Sequence, residues 1–136
     1  MSPNISNFDD LVRVARAQPA QQRLLFVFAV AEMPDDATPG QRADFEAGRG
    51  GALLPLMSVD KRPEDITSFA ALAEESRQYA PRWDIVFVAA LAGKAGGAPT
   101  ADAADRSMQQ MIESIRSGEF GAYLPFDARG EPVLID

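Results

Sequence analysis

Residues able to do chemistry are few in this chain of 136 amino acids, and two of the commonest are missing: it contains no cysteine and no histidine. That removes thiolate nucleophiles, Cys-based metal sites and disulfides, together with the usual general acid or base and the commonest metal ligand. What remains is carboxylate, hydroxyl and amine chemistry. Two short stretches concentrate it. The first is Glu32, Asp35 and Asp36, three carboxylates that could bind Mg²⁺ or hold a basic partner, or could equally form a solvated turn. The second is the run from Gly93 to Thr100, where Gly93, Gly96 and Gly97 surround Lys94, one of two lysines, ahead of Thr100 at a helix start. Free backbone N–H groups, a cation and a helix N-terminus together can cradle an anion. The order Gly-x-x-x-x-Gly-Lys-Ser/Thr is absent, so this is no P-loop, and a connecting loop is the plain alternative.

Other noticeable side chains read as packing. Met108 and Met111 fall at helical spacing with Ile112 and Ile115, the pattern of a buried stripe. Trp83, before an apolar run, could stack a ligand but suits a core edge. Acids outnumber bases 20 to 13, for a net charge of −7, and the bases are scattered singly, with Lys61-Arg62 the nearest to a cluster. Such a surface repels phosphate backbones, so no nucleic-acid partner is expected. No run approaches the ~20 apolar residues of a membrane span, and the acidic start (Asp9, Asp10) is unlike a secretory signal, so the expected setting is the cytoplasm.

The elements that must position these groups are organised around Leu24 to Ala31, eight apolar residues without a charge or a turn residue. Burial on one face only would leave polar residues at alternate positions, so this run reads as a strand covered on both faces. Ile85 to Ala92 reads the same way. Before the first run, Ser6 or Asn7 caps a helix carrying Phe8, Leu11, Val12 and Ala15, which Pro19 ends. Thr38-Pro39 opens a second helix, closed by Gly48, Gly50 and Gly51. Leu53 to Val59 is a strand interrupted by Pro55, and a third helix carries Phe69, Leu72, Ala73 and Ser76. Thr100 caps a fourth helix that Gly118 stops. Tyr123 to Phe126 and Val133 to Ile135 read as strands joined by the turn Ala128-Arg129-Gly130.

Shifting the chain by 61 aligns Ile5, Phe8, Leu11, Arg16, Phe26, Val27, Ala29 and Ala31 with identical residues at 66, 69, 72, 77, 87, 88, 90 and 92. A shift of 70 then aligns Gly48, Gly51, Ala52, Leu54 and Pro55 with Gly118, Gly121, Ala122, Leu124 and Pro125. The chain reads as one domain over 1–136 made of two helix-strand-helix-strand repeats, 5–60 and 66–127. Proline cannot donate to a ladder, so the strands holding Pro55 and Pro125 belong at the edges, giving the order 2-1-3-4. Helices between strands suit parallel crossovers. The expected fold is therefore α/β: a small, doubly wound, mostly parallel sheet with a short C-terminal hairpin strand. An α+β two-layer sandwich is the alternative. In the parallel version the carboxyl ends of the first and third strands meet, and the acidic loop and the Lys94 loop become two lips of one crevice.

The stretches Leu25-Phe26-Val27-Phe28-Ala29, Pro34-Asp35-Asp36-Ala37-Thr38-Pro39, Gly50-Gly51-Ala52-Leu53, Pro55 to Lys61 and Tyr123-Leu124-Pro125-Phe126-Asp127 resemble a family of short uncharacterised bacterial proteins labelled ribonucleotide reductase subunit alpha. The likeness covers nearly the whole chain. It implies membership of a family without an established activity and transfers no catalytic residue, since the chemistry in that label runs on cysteine thiols. Three functions remain: a non-catalytic interaction or regulatory protein that offers its acidic surface or its edge strands to a protein partner or a second copy of itself; a sensor of a small anionic ligand or nucleotide phosphate, bound between the first and third strands; and an enzyme confined to carboxylate, Ser and Lys chemistry. No catalytic residue, metal or cofactor is assigned.

Overall fold

A computed structural model describes residues 7–18, 20–32, 38–46, 52–94 and 97–133. The elements run α1 (Phe8–Arg16), β1 (Gln22–Glu32), α2 (Pro39–Glu46), β2 (Ala52–Lys61), a 3-10 turn (Pro63–Asp65), α3 (Phe69–Arg77), β3 (Ile85–Ala92), α4 (Ala101–Arg116) and β4 (Leu124–Phe126). Three of the helices start on a side-chain cap that occupies an otherwise orphaned N–H. Asn7 accepts from the Asp10 amide at 2.9 Å, Ser68 from Ala71 at 3.1 Å and Thr100 from Ala103 at 3.1 Å.

The strands form one sheet of order β2-β1-β3-β4, as the two prolines require. Their directions are not those expected. β1 runs antiparallel to both β2 and β3, and β4 antiparallel to β3, so every neighbouring pair is antiparallel. The doubly wound parallel sheet is therefore wrong, and the chain is compatible with the α+β alternative. Two-sided burial, which suggested parallel strands, says only that both faces are covered, and antiparallel strands can be covered on both faces too. Nor does a helix between two strands force them parallel. α2 and α4 each link antiparallel neighbours, as excursions that return to the end of the sheet they left. Only the β2-α3-β3 connection is a crossover, joining two strands that run the same way with β1 between them.

The pleat sends alternate residues of β1 to different cores. Leu24, Phe26 and Phe28, with Val86, Val88 and Phe126, face α1 and α3, where Phe8, Leu11, Val12, Phe69 and Leu72 meet them. Phe8 lies between rings on three other elements, with centroids 4.9 Å from Phe69, 5.6 Å from Phe126 and 5.9 Å from Phe26. Leu25, Val27, Ala29 and Phe87 point the other way, against Ala104, Met108, Met111 and Ile115 of α4. Leu24 through Ala29 are all at most 2% exposed, which is the burial their sequence demands. β3 is less covered than expected: Val86 to Val88 are buried, but Ala90 and Ala92 are exposed because β4 reaches only as far as Leu124, opposite Val88.

Residues matched by the internal alignment take like places in the helices and unlike places in the strands. Phe8, Leu11 and Val12 of α1, and Phe69, Leu72 and Ala73 of α3, fill the same core. Phe26 and Phe87, aligned by the same shift, lie on opposite faces, since Phe26 pairs with Val88 and Val27 with Phe87. A slip of one residue along a strand exchanges its faces. The C-terminal hairpin is present in brief form, with Phe126 bridging Pro132 and the Val133 amide donating to the Pro125 carbonyl at 3.1 Å. Ile135 lies outside the described residues.

Candidate functional site

The antiparallel register separates the two loops expected to share a crevice. Gly93 follows β3 and donates its N–H to the Gln21 carbonyl at 2.8 Å, which places the Lys94 loop beside the start of β1. Glu32 closes β1 at the far end, paired with Ala52. Eleven residues of extended chain separate them, roughly 35 Å at about 3.3 Å per residue. The carboxyl ends of β1 and β3 therefore do not meet, and no switch-point crevice forms between them. Asp35, Asp36 and Gly96 lie outside the described residues.

Of the expected anion-binding groups, the Gly93 and Gly97 amides and the Thr100 hydroxyl are engaged locally. The Gly97 amide donates to the Lys94 carbonyl at 3.0 Å, closing a turn, and the Thr100 hydroxyl accepts the Ala103 amide as the cap of α4. Gly93 is a glycine for a steric reason: a Cβ there would stand 1.8 Å from the Gly97 carbonyl oxygen. Lys94 is exposed. The Trp83 ring, 3% exposed, donates its indole N–H to Ser76 Oγ at 2.8 Å, and that hydroxyl donates to the Ala73 carbonyl at 2.6 Å. With the Arg77 guanidinium 4.8 Å from the ring centre, Trp83 is fully committed to packing. Met108 and Met111 are buried on the face of α4 that packs against the sheet.

Two features lie outside the site residues expected from the sequence. One is a set of ion pairs where β2 runs into the 3-10 turn: Arg23 with Asp60, Lys61 with Glu75 at 3.1 Å, and Arg62 with Asp65 at 2.9 Å. Hydrogen bonds from Arg62 hold the Asp65 carboxyl below the usual carboxylate range, and Asp65 in turn raises the Arg62 guanidinium. The two bases flanked by acids from Asp60 to Asp65 were the available signal. The other is the outer strand β2 itself, where Leu54 and Leu56 are 42% and 41% exposed on either side of Pro55. Between Pro55 and Met57 the register shifts, leaving Leu56 without an opposed residue, so that the strand bulges opposite Phe28 and Ala29. The signal was in plain view: Ala52 to Val59 is an uncharged run in an acidic chain.

Among the described residues there is no group of three or more acids that could hold a metal ion, and no helix is long and apolar enough to cross a membrane. Comparison with family models, with curated proteins and with solved structures finds no match.

Proposed function

We propose that the protein is a non-catalytic interaction or regulatory module of the cytoplasm, and that it engages an extended segment of a protein partner along the outer edge of β2. The observation that carries this reading is the pairing of an unoccupied strand edge with exposed leucines. β2 is a terminal strand of the sheet, and among the described residues no further strand pairs with it. Unpaired strand edges bind extended peptides through main-chain hydrogen bonds, with neighbouring side chains adding selectivity. Leu54 and Leu56 supply apolar surface in a strand stretch that carries no charge from Ala52 to Val59. Pro55 and the bulge interrupt the regular ladder, a common guard against indiscriminate edge-to-edge association, so a partner must fit an irregular edge. Membership of the family of short bacterial proteins named above is proposed alongside, and it adds no activity.

The test is affinity capture from the native cell with the wild-type chain and with a Leu54→Lys, Leu56→Lys double variant, read by mass spectrometry. A stoichiometric protein held by the wild type and lost by the variant is expected, with both proteins melting at similar temperatures because both leucines are substantially exposed. A partner retained by the variant would move the interface elsewhere. Failure of the wild type to retain any stoichiometric protein would sink the interaction reading as a whole.

A further inference from the structure

No further inference is drawn: the strongest candidate, the groove between α1 and residues 66–68 lined by Asp9, Arg13, Arg16 and Thr67, has its arginines already held by Asp10 and by the carbonyls of Pro63 and Ile66, and nothing in the structure shows what would fill it.

Discussion

Phe26 and Phe87 are both fully buried, yet they serve different cores, one under α1 and α3 and the other under α4. Truncating either to alanine leaves a cavity in a close-packed interior and is expected to cost about 3 to 5 kcal/mol in chemical denaturation. A loss below about 1 kcal/mol for either would remove it from its core. At the surface, Asp65 offers a readout of its partner. Its carboxyl is lowered in the fold chiefly by the Arg62 hydrogen bonds, so the pair's contribution to stability is present above the unfolded carboxylate value and is lost as pH falls through the folded one. Arg62→Ala is expected to move the Asp65 titration upward in an NMR pH series, whereas an unchanged midpoint would mean that the pair does not persist in solution. The types of the buried residues were readable in the sequence because apolar runs and helical spacing report burial directly. Trp83 shows where such reading stops: its hydrogen bond to Ser76 depends on how α3 meets the segment before β3, which no local pattern encodes.

At the scale of elements, strand identity and order were legible and strand direction was not. Pro55 and Pro125 mark edge strands whichever way the strands run, while the two-sided burial of Leu24 to Ala29 is the same in a parallel and an antiparallel sheet. The candidate site inherited that ambiguity. The Glu32 and Gly93 loops share an end of the sheet only if β1 and β3 are parallel, so reversing one strand dismantled the crevice without altering a single residue assignment. Direction is open to a chemical test because the native chain has no cysteine to interfere. Gln22 and Ala92 are directly opposed in the register, and the Gly93 bond to Gln21 makes theirs a non-hydrogen-bonded pair, with Cα atoms expected about 4.5 Å apart. That separation lies within disulfide reach. A Gln22→Cys, Ala92→Cys double variant should therefore close a disulfide under mild oxidation, seen as a 2 Da loss by mass spectrometry. Two persistent free thiols would argue against this register, since parallel strands would place the two positions at opposite ends of the sheet.

As a whole, the molecule is a single sheet between two unequal cores, one formed with α1 and α3 and the other with α4, and both depend on β1. That central place has a consequence for how the chain is made. β1 is the first of the described strands to be synthesised, but its neighbours β2 and β3 end only at Lys61 and Ala92. At about 5–20 residues per second, roughly 3 to 12 s separate the appearance of Glu32 from that of Ala92. Through that interval the most apolar segment of the protein lacks one or both of its partners, while its β3 side presents an open ladder beside Phe26 and Val27. A chain ended after Lys61 is expected to be insoluble or to bind the dye ANS strongly, and a soluble, cooperatively melting fragment would refute this. β1 thus gains its second ladder partner only with β3 and the cover of Leu25 and Val27 only with α4, so a nascent chain halted between Glu32 and Ala92 is expected to bind a holdase that the full-length chain does not.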